Sequence, residues 1–104
     1  MIVTTSETIA QKKIVKTLGL VRANTIRARH IGRDIAAVFR NIIGGEIQEY
    51  TKLMGESREQ AIDRMVHLAE EMGANAVVAT RITTSMLMGG AAEIVAYGTA
   101  VVVE

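Results

Sequence analysis

The segment SREQAIDRMVHLAEEMGANAVVATR, residues 57–81, predicts a helix that ends abruptly and a strand that follows it. Ser57 and Gln60 have the spacing of a capping box, which predicts that the helix starts at Ser57. Apolar residues recur at three- and four-residue steps along one helical face: Ala61, Ile62, Met65, Val66, Ala69 and Met72. Gly73 follows directly, and we expect it to end the helix at positive φ because glycine adopts that conformation without strain. A strand from Ala76 then packs against the helix.

The composition predicts a small domain with a modest core. The 104 residues are expected to form a single domain, residues 1–104, and a chain of this length buries only about two thirds of its unfolded surface. Hydrophobic residues make up 49% of the chain, but its aromatic residues are only Phe39, Tyr50 and Tyr97. The core is therefore expected to consist of Ile, Val, Leu, Met and Ala. Because this core is small, the chain is expected to gain stability by associating with other chains.

The chain has no cysteine, which excludes disulfides, thiolate zinc sites and a cysteine nucleophile. A chain without cysteine fits the reducing cytosol, so we expect a cytoplasmic protein. No apolar run approaches the roughly 20 residues of a membrane-spanning helix, and the N-terminus lacks the pattern of a signal peptide. The sequence therefore predicts no membrane as a partner.

The two halves of the chain carry opposite charge, although the net charge is only +1. Residues 1–40 hold eight basic and two acidic side chains, a balance of +6, whereas residues 41–104 hold four basic and nine acidic ones, a balance of −5. We expect the halves to lie near each other within one subunit or between two copies. Nucleic-acid binding is the alternative, and it is not favoured because stacking aromatics are missing and the acidic half would repel phosphate.

The order of predicted elements is β β α α β β, which indicates an α+β fold. The predicted strands cover residues 2–5, 14–29, 75–86 and 92–103. Helical patterns occupy the middle of the chain: residues 33–43, a stretch from Glu46 to Met54, and the helix that starts at Ser57. Gly55 is expected to interrupt the helical region, and LMGGA, residues 87–91, is expected to form a hairpin loop. This order implies an antiparallel sheet with its helices packed on one face.

The last strand, residues 92–103, is apolar on both of its faces. One face holds Ala92, Ile94, Ala96, Gly98, Ala100 and Val102. The other holds Val95, Tyr97, Thr99, Val101 and Val103. Because a two-layer subunit covers only one face of its sheet, we expect another copy of the chain to cover the second face. The alternative is a third layer formed by the chain itself.

Several segments of the chain resemble the YbjQ-like family. They are RDIAAVFRNIIGGEIQEYT (33–51), SREQAIDRMVHLAEEMGANAVVATRI (57–82) and EIVAYGTAVVV (93–103), together with the paired threonines Thr4 and Thr5. The resemblance implies a dodecin-like subunit that closes into a homopentameric ring. It also implies heavy-metal binding, which is the label of the family. That label fits this chain poorly, because soft metals favour thiolates and the chain has none.

Two sets of residues are candidate metal ligands. Asp63, His67 and Glu71 are spaced four apart, which places two carboxylates and an imidazole along one helical face. A solvated polar face explains the same spacing and is the interpretation we favour. Met86 and Met88 offer two thioethers to a soft metal, but methionines beside paired glycines more often pack a loop. The other histidine, His30, is isolated and is expected at the end of a strand.

A further set is a candidate for binding a small anion at a cleft between subunits: Arg27, Arg29, Arg33, Glu46 and Tyr50. The same residues could equally form a set of salt bridges at an interface, and we favour that alternative.

Catalysis is not predicted for this chain. Neither histidine is tied to a serine nucleophile by a local motif, and no cysteine is present. Gly44 and Gly45 lack the Lys and Ser/Thr that follow the glycines of a P-loop, and no dinucleotide-binding motif or other cofactor signature occurs. The sequence therefore predicts a non-catalytic ring that binds a ligand or a metal, with a structural or protein-interaction module as the alternative.

Overall fold

The structure is a computed structural model that describes residues 1–27, 48–87 and 91–104, with the side chains of 48–51 excepted. Its elements in chain order are β1 (Ile2–Val3), β2 (Ile14–Arg27), α1 (Gln48–Glu71), β3 (Ala76–Met86) and β4 (Ala92–Val103). The strands form one four-stranded sheet in the order β1-β3-β4-β2. The α+β class is confirmed, and the bounds of β4 agree with the prediction.

The prediction of an antiparallel sheet is wrong for β1. This strand runs parallel to β3, with Ile2 beside Ala76 and Val3 beside Val77, whereas β2 and β3 both run antiparallel to β4. Backbone bonds hold β1 in place, because Ile2 N donates to Asn75 O at 3.3 Å and Thr4 N donates to Val77 O at 3.0 Å. The predicted helix over 33–43, the first helix of the predicted order, lies outside the described residues and stays a prediction.

Helix α1 starts at Gln48, which corrects the predicted start at Ser57 and the predicted interruption at Gly55. Ser57 is buried in the interior of α1, and its Oγ donates to the carbonyl oxygen of Leu53 at 2.8 Å. A serine that bonds to the preceding turn is the alternative to capping. The carbonyl of Ser57 also accepts a bond from Thr25 Oγ1 of β2 at 3.2 Å, so contact with the sheet stabilises this part of the helix.

Helix α1 ends as predicted, with Gly73 at φ 92 just beyond it. Gly73 N donates to Glu70 O at 2.9 Å, and Ala74 N donates to Ala69 O at 3.0 Å. This pair of bonds is the Schellman motif, which satisfies the last carbonyls of a helix when the residue after its cap adopts a left-handed conformation. The chain is thereby turned into β3 within three residues of the glycine.

The main core lies between α1 and one face of the sheet, called here the covered face. Residues on α1 recur at helical spacing and are fully or nearly fully buried: Met54, Ala61, Met65 and Ala69. They pack against alternate residues of the strands: Val21, Ala23, Val77, Ala92, Ile94, Ala96 and Ala100. Most of these side chains are small, so the helix and the sheet can approach closely.

Gly98 lies on the covered face beside an irregularity in β3. The pairing of β3 with β4 shifts between Val78 and Arg81, and Ala79 adopts a positive φ of 53 within that shift. A Cβ atom on Gly98 would lie 2.7 Å from Cγ1 of Val77 and 3.0 Å from the carbonyl oxygen of Val78. Only glycine fits here, because real Cβ atoms do not approach other atoms so closely.

Among residues 1–27, 48–87 and 91–104, one half of the opposite face of the sheet is covered by other residues and the other half is not. Val101 and Val103 are buried there with Ala76 and Val78, and Ile9 and Ile14 pack against them. Val101 and Val103 were predicted to be covered by another copy of the chain. The chain itself buries them, so the alternative of a third layer is correct for these two residues. The other half is called here the open face: Leu20, Arg22, Asn24 and Ile26 of β2 with Glu93, Val95, Tyr97 and Thr99 of β4.

Candidate functional site

A cleft of about 410 Å³ lies between β2 and α1. The strand contributes Arg22, Ala23 and Asn24, and the helix contributes Arg64, His67 and Leu68. In the sheet that the described residues form, β2 is an edge strand, so its outer side faces the cleft instead of another strand. The cleft therefore combines two guanidinium groups and an imidazole with the main chain of an edge strand.

One of the two arginines is held in place by the main chain of β2. Nη1 of Arg64 donates to the carbonyl oxygen of Asn24 at 2.8 Å. The side chain of Asn24 is occupied too, because its Nδ2 donates to Oε2 of Glu93 at 3.2 Å. The bond from Arg64 connects the helix to the edge strand and orients its guanidinium, and the bond from Asn24 connects the edge strand to β4.

The predicted metal ligands Asp63, His67 and Glu71 all lie on the exposed surface of α1. Within residues 1–27, 48–87 and 91–104, no three His, Asp or Glu side chains are grouped so that they could hold a metal ion together. His67 instead lines the cleft with Arg22 and Arg64. The metal site stays a prediction that would require these side chains to rearrange around an ion.

The predicted anion set is only partly within the described residues. Arg27 ends β2, and its Nη2 donates to Oε1 of Gln60 on α1 at 2.7 Å. Arg29, Arg33 and Glu46 lie outside the described residues, and Tyr50 belongs to the first turn of α1 without a described side chain. The convergence of these residues therefore stays a prediction.

The remaining candidates lie at the hairpin between β3 and β4. Met86 is the last residue of β3 and is exposed, whereas Met88 and His30 lie outside the described residues. Leu87 N donates to Ala91 O at 2.8 Å, which agrees with the predicted hairpin loop.

Sequence reasoning missed Arg22 and Arg64 as members of one site. They belong to elements far apart in the chain, and their proximity depends on how α1 crosses the edge of the sheet. A partial signal was present, because Arg64 and His67 are three residues apart and therefore share a helical face. Arg22 and Asn24 are likewise two apart and share one side of β2.

No helix among the described residues is both long and apolar enough to cross a lipid bilayer.

Comparison with solved structures supports the fold. The crystal structure of a protein of unknown function from Pediococcus pentosaceus, assigned to the DUF74 family, matches this chain with a TM-score of 0.71. The match covers 100% of this chain and 98% of that one at 14% sequence identity. At this identity the likeness shows a shared fold and nothing about function.

Comparison of sequences shows the family. A family model described as "Putative heavy-metal-binding" matches residues 1–104. A UPF0145 protein of Methanosarcina acetivorans is 58% identical over 101 residues, which are 97% of this chain and 95% of the relative. A UPF0145 protein of Dehalococcoides mccartyi is 55% identical over 104 residues, which are 100% of both chains. The chain therefore belongs to the YbjQ-like family, together with these UPF0145 proteins.

Proposed function

We propose that the chain is a non-catalytic subunit of a cytoplasmic homo-oligomer that binds a ligand or a metal, and that a neighbouring copy covers the open face of its sheet. The observation that carries this proposal is the exposure of large apolar side chains there. Leu20 is 66% exposed and Ile26 is 57% exposed, beside the half-buried Val95 and Tyr97.

The size of the effect favours association. Full burial of a leucine or isoleucine side chain contributes about 1.5–3 kcal/mol relative to leaving it exposed. The whole stability of a small domain is about 5–15 kcal/mol, so covering Leu20 and Ile26 would add a considerable fraction of it. Tyr97 brings a larger apolar area with a hydroxyl that can remain at the rim of an interface.

Charge complementarity supports a second copy of this chain as the occupant. Residues 1–27 carry five basic side chains and one acidic, whereas residues 48–87 and 91–104 together carry four basic and eight acidic. Opposite charges on the two parts favour head-to-tail contacts, which close into a ring when the rotation permits. The family resemblance supports five subunits in that ring.

The family label supports a bound metal, and this chain offers two ways to hold one. Thioethers of Met86 and Met88 would suit a soft ion, and Asp63, His67 and Glu71 would suit a borderline one. The second candidate function is a structural or interaction module with no small ligand. Elemental analysis and native mass spectrometry of untagged protein from its host would separate the two, since a metal at fixed stoichiometry favours the first.

Light scattering with matched variants tests the assembly. The unmodified protein should have a mass several times 11.2 kDa at micromolar concentration. Leu20→Glu and Ile26→Glu should lower that mass, because each places a charge in the proposed interface. Met72→Glu is the control, since Met72 is partly exposed just beyond the end of α1 and does not belong to the two strands of the open face. A monodisperse monomer, or an unchanged mass for both open-face variants, would overturn the proposal.

A further inference from the structure

We infer that the cleft between β2 and α1 binds a small organic anion, whose carboxylate or phosphate group contacts Arg22 and Arg64 and whose apolar portion lies on Leu68. This inference goes beyond the proposed assembly, because one copy of the chain supplies all of the residues that line the cleft.

The first support is the set of hydrogen-bond donors. Arginine carries five N–H donors in a planar fork that matches carboxylate and phosphate oxygens. Arg64 uses Nη1 on the carbonyl oxygen of Asn24, which leaves the other donors of an already oriented group. The side chain of Arg22 has no hydrogen bond or ion pair to another side chain within residues 1–27, 48–87 and 91–104.

The second support comes from the main chain of the edge strand. In an antiparallel pair, the N–H and the C=O of one residue point to the same side of the strand. Because the carbonyl of Asn24 accepts from Arg64, it points away from β4, and so does the amide N–H of Asn24. That amide is a further donor at the edge of the cleft.

The third support is the apolar part of the lining. Ala23 is buried and Leu68 is 41% exposed, and both line the cleft. A space of about 410 Å³ is much larger than a bare phosphate or acetate needs. The cleft is open to solvent, so a ligand with a hydrocarbon portion would lie along it and remove Leu68 from water.

The charges in the cleft also separate this inference from the predicted metal site. His67 lies next to two guanidinium groups, which repel a divalent cation and attract an anion. Asp63 and Glu71 lie one turn to either side of His67 on α1, but neither lines the cleft. The cleft therefore favours an anion, whereas the spacing of Asp63, His67 and Glu71 along the helix indicated a cation.

Isothermal titration calorimetry at constant ionic strength tests the inference, with hexanoate and phenyl phosphate as the two probes. We expect saturable binding of at least one of them, and the stronger one distinguishes a carboxylate ligand from a phosphate ester. Acetate should bind more weakly than hexanoate, and hexan-1-ol should not bind, because each lacks one of the two recognised portions. Amide NMR shifts should change at Asn24 and Leu68.

Variants locate the binding. Arg22→Gln and Arg64→Gln should each weaken the better probe about tenfold, the lower end for a hydrogen bond to a charged group. Arg58→Gln is the matched control, because Arg58 is an exposed arginine of α1 outside the cleft. The mass from light scattering should be the same for Arg64→Gln and Arg58→Gln, whose arginines lie on α1 and not on the open face, so a failure of binding and a failure of assembly are distinguishable. Arg22 also belongs to the open face, so Arg22→Gln is judged by its binding of the probe alone. The inference is overturned by absent binding of both probes, by equal weakening in Arg58→Gln, or by a loss of assembly in Arg64→Gln.

Discussion

The covered face of the sheet carries small side chains that are buried, whereas the open face carries larger apolar side chains that are exposed. The covered face is lined largely by alanine and glycine, and Ala96 and Ala100 have no exposed surface. The open face carries Leu20 and Ile26, which are larger and mostly exposed. Small residues allow α1 to approach the sheet closely, whereas large apolar residues left in water indicate a surface that is completed by something else.

Truncation of one isoleucine on each face should give the largest difference. Ile94→Ala on the covered face should lower the free energy of unfolding by about 3 kcal/mol, because Ile94 is 1% exposed and its loss leaves a cavity. Ile26→Ala on the open face should cost about 0.5 kcal/mol or less within one subunit. Urea unfolding below the concentration at which the chain assembles measures both. Equal costs would show that the open face is packed within the subunit.

Filling the closest contact of the covered face should give the next effect. Gly98→Val should destabilise the protein by about 2–3 kcal/mol, since its Cβ would overlap Val77 and Val78. Thr99→Val is the control on the neighbouring residue of the open face, and it should change stability by less than about 0.5 kcal/mol. Thermal unfolding measures both variants. An unaltered midpoint for Gly98→Val would show that β3 and β4 can separate at no cost.

The end of the helix that closes the covered face gives a smaller effect. Gly73→Val should destabilise by about 1–2 kcal/mol, because a β-branched residue is forced into a left-handed conformation. The cost is conformational and not steric, since an added Cβ at Gly73 meets no atom within 4 Å. Gly73→Asn should therefore recover part of the loss, because asparagine tolerates this conformation. Equal losses in both variants would contradict this reason.

The smallest effect should be a gain in stability. Gly55 lies inside α1, and an added Cβ there would meet only Nη2 of Arg58 at 3.9 Å. Gly55→Ala should stabilise the protein by about 0.5–1 kcal/mol, because alanine favours the helix and glycine does not. A loss of stability in urea unfolding would indicate that α1 bends at Gly55, as the sequence had suggested.

Local patterns in the sequence predicted the elements well, and they failed where distant residues decide the outcome. The alternation of β4 and the glycine after α1 are local signals, so Ala92–Val103 and Gly73 were predicted correctly. The capping box at Ser57 is also a local signal, but contact with Thr25 of β2 extends the helix through it. The parallel pairing of β1 has no local signal at all.

The candidate site shows the same division. Helical spacing placed His67 on an exposed face of α1, as the structure confirms, but it could not show that Arg22 of β2 lies nearby. A helix packed on a sheet brings together side chains from separate segments of the chain. The preference for an anion follows only from their combined charge. The convergence of the five predicted anion ligands remains a separate prediction.

The pairing of β1 with β3 sets an order of events during synthesis. Ile2 is made before Ala76, its neighbour in the sheet. At about 5–20 residues per second, Ile2 waits on the order of 4–15 s before its partner has been made. This pairing is expected to form late, because closing so large a loop costs entropy before any pairing compensates it. Strand β1 therefore docks onto a hairpin and a helix that have already assembled, so it is among the last elements to become ordered although it is made before them.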